Sequence, residues 1–300
     1  MAQPAAAAAP PPSFSASQLD EILAPIALYP DTLLAQILAA SSNAQEVLDG
    51  GNWLLQHQAL KGDELDAAAT EAGFGPSMIA LVHFPTVVDM LCQELDWTTQ
   101  LGEAFVADEK AVLASVQRLR AQALAAGNLA SGPEQKVEKS EVEEEGGGSK
   151  QVITVQPAQP QLVYVPQYNP QQVYTTPAPA ATSSDSGIST GEAVVGGLMA
   201  FGLGIMVANA FDDDDYCCSP HWGHGGVYYG GNRYSHNTFV YAPHYDVDFR
   251  PASGYRRPSN YPYAYNRATR GQGSKRNLNP NQSGYFKRFE GASNRSQARP

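Results

Sequence analysis

Cysteine is scarce in this chain, with three in 300 residues. Cys92, Cys217 and Cys218 make no disulfide framework, and no C-x2-C pair of the usual zinc type occurs. Basic residues are scarce in the first half: Met1 to Lys150 holds 7 Lys+Arg against 21 Asp+Glu, a net of −14. Large aliphatic residues nearly vanish beyond Asp215, which argues against a packed core there. The opening MAQPAAAAAPPP has neither a basic n-region nor a long apolar h-region, so it does not read as a signal peptide. It reads as a mature amino terminus left by small-residue cleavage, with a start Met in front. An ordinary cytoplasmic start with an Ala/Pro arm is the rival. No complete catalytic constellation stands out, and the expectation is a protein that is not an enzyme.

One long uncharged run is present. Ala193 to Phe211, AVVGGLMAFGLGIMVANAF, is 19 residues without a formal charge in a chain of net charge −11. As a helix it would cover roughly 28 Å, close to the hydrocarbon thickness of a bilayer. Gly196, Ala200, Gly204 and Ala208 recur every four residues and would stack on one face, the small-xxx-small spacing that lets helix backbones meet. The run is therefore expected to be a hydrophobic Gly-rich helix that spans a membrane or forms the core of a homo-oligomer. Its C-terminal flank, Asp212 to Asp215, sits badly at a cytoplasmic boundary and leaves topology open.

The region 15–128 reads as a helical domain after a flexible arm over 1–14. Leu19, Ile22, Leu23, Ile26 and Ala27 make one apolar stripe, with Ser17 as expected N-cap and Pro25 as a kink or stop. Further helices are expected around Leu33–Leu38, from Ser42 with Gly50-Gly51 as a break, after Asp63, and from Pro76 and Pro85. A long last helix carries Leu101, Phe105, Val112, Val116, Leu119 and Ala123. Acidic linker follows over 129–150. The segment 151–174 alternates β-branched and aromatic residues with polar ones, which predicts short strands at 152–156 and 161–165 paired as a hairpin or edge addition. Then come a linker at 175–190, the hydrophobic helix at 191–211 and a Cys/His loop with a Tyr/Gly/Asn/Arg-rich basic tail at 212–300. The fold class is mainly α: an N-terminal multi-helix bundle, a short β-hairpin segment, one hydrophobic helix and a largely irregular tail.

The stretches LAPIALYPDTLLAQILAAS, HFPTVVDMLCQELDWTTQLGEAF, VQRLRAQALAAGNL and PAQPQLVYVPQYNPQQVY resemble, in this order, the bacterial envelope family known as domain of unknown function 3300. The resemblance covers about residues 18–175. It implies a location in the cell envelope and membrane association, and brings no activity, cofactor or catalytic residue with it.

Three further features carry chemistry. Cys217, Cys218, His221 and His224 follow the four aspartates closely; thiolates and imidazoles suit zinc or copper, although adjacent cysteines do not easily ligate one ion. His236 and His244 stand further along. Otherwise no cofactor is expected. Cys92 with His83 invites comparison with a nucleophile and base, and Asp89, Glu94, Asp96 and Glu103 with paired carboxylates; a buried thiol and a solvated helix face account for them better. His57 reads as a surface or cap residue, and Trp53 and Trp97 as core anchors. From Arg250 onward the tail holds 11 Lys+Arg and one acid, Glu290, interleaved with tyrosines. That composition suits acidic polymer or anionic lipid, without a motif for sequence-specific nucleic acid. The expected function is a non-enzymatic scaffolding or interaction protein of the envelope (periplasm, membrane-associated) that self-associates through its hydrophobic helix. The alternatives are a metal-binding or redox protein centred on the Cys/His cluster, and a soluble subunit of a fibre or ring packed on that helix.

Overall fold

The computed structural model describes residues 13–144, 147–176, 193–195, 198–202, 204–207, 218–223, 225–229 and 232–233. The fold is mainly α, with an N-terminal multi-helix bundle and short antiparallel strands. α1 (Ala16–Leu23) begins two residues earlier than its apolar stripe suggests. Ser15 is the N-cap, and a capping box with Gln18 satisfies both its own and the helix's first amides. The helix ends before Pro25, which lacks the N–H needed to continue the ladder.

α2 (Asp31–Ser41) is apolar on nearly every side, and all of it but Thr32 is buried. A helix with no polar face must sit at the centre of a bundle. α3 (Ala44–Gln56), α5 (Pro76–Leu81) and α7 (Leu95–Ala107) pack against it. Gly50 and Gly51 do not break α3. A Cβ at Gly50 would lie 2.5 Å from the Met78 methyl, and one at Gly51 would meet the Cys92 sulfur, so the pair buys close helix approach. α4 (Gly62–Glu71) has Asp63 inside its first turn, where it complements the dipole, rather than ahead of it as a cap. α6 (Pro85–Gln93) and α5 both start on proline, as expected. The single long last helix is instead two, α7 and α8 (Glu109–Ala125). Asp108 breaks them, because its extended backbone lets its carboxylate accept from Ala111 N at 2.8 Å and cap α8.

The stretch expected as acidic linker folds mostly as strand. β1 (Gln135–Glu144) and β2 (Gly148–Pro157) form an antiparallel hairpin in register from Gln135↔Pro157 to Glu144↔Gly148. Gly147 takes φ +85° in its turn, a conformation that favours glycine. Val152, Ile153 and Val155 of β2 are buried, and β2 lies against α2 and α8. The expected strand at 152–156 is thus present, but its partner is the charged segment before it, not 161–165. That later segment divides into β3 (Leu162–Val163) and β4 (Pro166–Tyr168), followed by the short α9 (Pro170–Val173).

The hydrophobic run is not a helix in its described parts. It supplies β5 (Ala193–Val195), β6 (Met199–Phe201) and β7 (Ile205–Met206). β6 lies between β4 and β5, and β7 pairs with β3. Four glycines, Gly196, Gly197, Gly202 and Gly204, each disfavour helix by about 1 kcal/mol relative to Ala. β3 and β4 meanwhile offer unpaired backbone edges. Alternation then buries Met199 and Phe201 while Ala200 stays half-buried. Among the described residues, no helix is long and apolar enough to cross a membrane. Finally β8 (Cys218–His221), β9 (Gly226–Tyr229) and β10 (Asn232–Arg233) form a three-stranded sheet where a Cys/His loop was expected. β8 packs on α2 and β9 on α8.

Candidate functional site

The most elaborate polar arrangement forms around the chain between α1 and α2. Pro25 and Pro30 hold residues 24–30 in tight turns that no helix or sheet completes, and the whole segment is buried. Its backbone groups therefore need partners from elsewhere. Arg120 of α8, fully buried, supplies two of them and reaches β2 and α2 as well. Its Nε donates to Ala27 O at 2.8 Å, its Nη2 to Tyr29 O at 2.9 Å, and its Nη1 to Ile153 O at 2.9 Å and to Asp31 Oδ1 at 2.5 Å. Asp31 sits in the first turn of α2 and also accepts from Val155 N at 3.3 Å. Its second oxygen accepts from the indole N–H of Trp222 at 3.2 Å, and the Trp222 ring lies 5.1 Å from the Arg120 guanidinium carbon. A buried charge is tolerable only with such pairing and hydrogen bonding.

On the other side of the segment, the hydroxyls of Tyr168 and Tyr174 both donate to Ala24 O, at 3.1 and 2.6 Å, and Tyr168 accepts from Leu28 N at 3.3 Å. Burial is the first cause that raises both phenols above their ordinary value, so they remain protonated donors. Tyr29 packs edge-on to Tyr168, and Tyr168 edge-on to Tyr174. Asn128 ties α9 to the end of α8 through bonds from Nδ2 to Val173 O at 2.9 Å and Thr176 O at 2.7 Å. The arrangement joins five stretches far apart in sequence: 24–31, the end of α8, β2, the segment from Tyr168 to Thr176, and Trp222. Chemically it can fix shape: the Arg120 guanidinium, both Asp31 oxygens and the hydroxyls of Tyr168 and Tyr174 are held in internal bonds.

The residues singled out from sequence fall elsewhere. Ala200 lies in β6 opposite Gln167 and Val194. Gly204 lies beside β3, where a Cβ would come within 2.8 Å of Leu162 and Tyr164. Gly196 and Ala208 lie outside the described residues. The two of the four that are described, Ala200 and Gly204, thus lie in or beside strands and not on a helix. Cys218 opens β8 and His221 closes it, with the His221 side chain exposed, while Cys217 and His224 lie outside the described residues, as do His236, His244, the four aspartates and the tail from residue 234. Among the described residues, no group of three or more His, Cys, Asp and Glu side chains is arranged to hold a metal ion.

Cys92 donates weakly to Val47 O at 3.4 Å, and burial, then Asp89 and Asp49, push its thiol up to about 12. A thiol so held is packing material, not a nucleophile. His83 instead pairs with Asp66 at 2.5 Å, and His57 caps α3, donating to Trp53 O at 2.7 Å and stacking on the Trp53 ring. Trp97 anchors α7 to α1 through its bond to Ile22 O at 2.8 Å. Asp89 and Asp96 are exposed, and Glu94 sits at the α6–α7 junction with its carboxyl raised by burial and then by Asp96. Arg120, Asp31, Tyr168, Tyr174 and Trp222 escaped the sequence reading. The signal for one of them was present: Arg120 interrupts the apolar stripe of Val116, Leu119 and Ala123, where a charge implies a buried partner.

The fold and this centre define a helical head locked by β-strands added from later in the chain. The profile of the family described as "Protein of unknown function (DUF3300)" matches residues 15–213, and the chain belongs to that family. It is similar to "Uncharacterized protein YacH" of Escherichia coli (strain K12), 34% identical over 201 residues, covering 57% of this chain and 33% of the relative. The match thus spans a third of that protein's length. No solved structure matches.

Proposed function

We propose that this chain is a non-enzymatic interaction protein of the cell envelope that presents a rigid helical head and associates with itself. The observation that carries the reading is the buried Arg120 centre, whose guanidinium donates to three backbone carbonyls and to Asp31. The polar groups most capable of chemistry serve to hold one shape, as a binding platform requires. The basic Tyr/Arg tail supports an envelope setting with anionic polymer or lipid as contact. Fractionation of cells expressing the chain, with protease accessibility at both ends and chemical crosslinking, tests the proposal. Crosslinked multimers in the envelope fraction are the expected result. A stable monomer in the high-speed supernatant of untreated lysate would overturn it.

A further inference from the structure

The sheet β8–β9–β10 seats on α2 and α8, and like the other three sheets it pairs only within itself. Among the described residues, β8, β9 and β10 pair only with one another, and no backbone hydrogen bond links them to the rest. Side chains and close backbone approach hold the sheet. Trp222, at the tip, is buried with its N–H on Asp31 and its face toward Arg120. Gly223 lies where a Cβ would run into the Glu143 carbonyl of β1, and Gly225, at φ +67°, lies where a Cβ would come within 2.8 Å of Lys110 Cγ. The seat is thus walled by α2, α8 and the end of the β1–β2 hairpin, and one indole fills it.

Seat and occupant also differ in origin. Asp31, Lys110, Arg120, Glu143 and Val155 all fall within residues 15–213, the span of the family match, while Trp222 falls beyond it. Asp31 Oδ1 is already satisfied by Arg120 and Val155, so the seat stays formed without the indole and keeps Oδ2 as an acceptor. An aromatic anchor with one donor, set between a carboxylate oxygen and a guanidinium face, has the features of a binding hot spot.

We propose that the Asp31–Arg120 seat is a docking site for a tryptophan-tipped β-hairpin, filled here by residues 218–229 of the same chain and open to the same hairpin of a second copy. The proposal deepens the self-association put forward above by naming the surface and the segment that link copies.

The test uses the full chain carrying Trp222→Ala and a fluorescent peptide of residues 216–233 followed by anisotropy. Saturable binding to the variant, weaker but measurable binding to the wild-type chain, whose own hairpin competes for the seat, and at least tenfold weaker binding of the peptide with Trp222 replaced by Ala are expected. Circular dichroism melting establishes that the variant is folded. If it is not, Trp222→Phe takes its place, since it keeps an aromatic ring for Arg120 while removing the N–H with the fused five-membered ring, and the Trp peptide must displace its hairpin better than a Phe peptide does. A folded variant that binds neither peptide overturns the proposal. If the wild-type chain still sediments as an oligomer in that case, the hairpin exchange falls while the interaction reading stands; if it sediments as a monomer, both fall.

Discussion

Replacing Arg120 by Met removes the centre's only cation while keeping most of the side-chain volume. Asp31 is then left buried with Val155 N and Trp222 Nε1 as donors, the carbonyls of Ala27 and Tyr29 lose theirs, and Ile153 O keeps only Gln117 Nε2. Removing one partner of a buried ion pair costs about 3–5 kcal/mol. Each buried acceptor left unmet adds a penalty of about 1–3 kcal/mol, partly counted already, which places Arg120→Met near the top of the pair's range. Domains of this kind have about 5–15 kcal/mol in total. With a urea slope of about 2 kcal/mol/M, the midpoint should fall by about 2.5 M with the slope unchanged. Asp31→Leu alone should be at least as harmful, because it strands a buried guanidinium. The double variant Arg120→Met with Asp31→Leu should cost much less than the two losses added, since neither charge remains to be stranded. Urea unfolding followed by circular dichroism measures all three. A loss below about 1 kcal/mol for Arg120→Met, or strict additivity in the cycle, would refute the role assigned to the pair.

Tyr168 and Tyr174 share one acceptor, Ala24 O, so either hydroxyl covers for the other. Tyr174→Phe alone should cost about 1 kcal/mol, and the double Phe variant more than twice that, because only then is the carbonyl orphaned; thermal melts of the set decide it. Glu46 accepts from Gly75 N and Asn43, and its carboxyl lies above the ordinary value of 4.5 chiefly because of burial. The folded chain therefore holds that proton where the unfolded chain has released it, and stability falls as pH rises from the unfolded value through the folded one. Glu46→Gln, which retains an acceptor for Gly75, should abolish that part of the slope in unfolding measured from about pH 4 upward. Gly204→Leu should destabilise the β3–β7 pair by clashing with Leu162 and Tyr164, read as faster proteolysis near residue 204 and as weaker amide protection at Leu162 and Val163.

The helical head was legible because its signals are local. Leu19, Ile22 and Leu23 repeat at helical spacing, and Pro76 and Pro85 mark first turns that the folded chain keeps. The strands were not legible for the same reason. KVEKSEVEE has the composition of a linker, and only pairing with GSKQVITVQ, with Val137 and Val142 turned toward the core, makes it a strand. The run at 193–211 has the length and apolarity of a membrane helix, but its four glycines and the edges of β3 and β4 tip the described part toward sheet. The centre was legible least of all. Arg120 is 89 residues from Asp31, and Trp222 is 191 residues from it, and neither separation leaves a trace in local spacing.

Losing the helix moves the question of self-association to the surface that remains. Among the described residues, the large hydrophobic side chains that are exposed are Leu55 and Met206, at 50% and 65%. Two separate side chains do not make the contiguous apolar patch that a permanent interface between preformed bodies needs. Association between copies is then left with two physical routes. One is charge, between the acidic head and the basic tail, which added salt screens over a Debye length of about 8 Å at physiological strength. The other is exchange of an element already buried within one copy, which costs little new surface and is nearly indifferent to salt. The Trp222 hairpin is the described element best suited to the second route, because among the described residues no backbone hydrogen bond ties it to the body, and the bond it would make in a neighbouring copy is the one it makes at home.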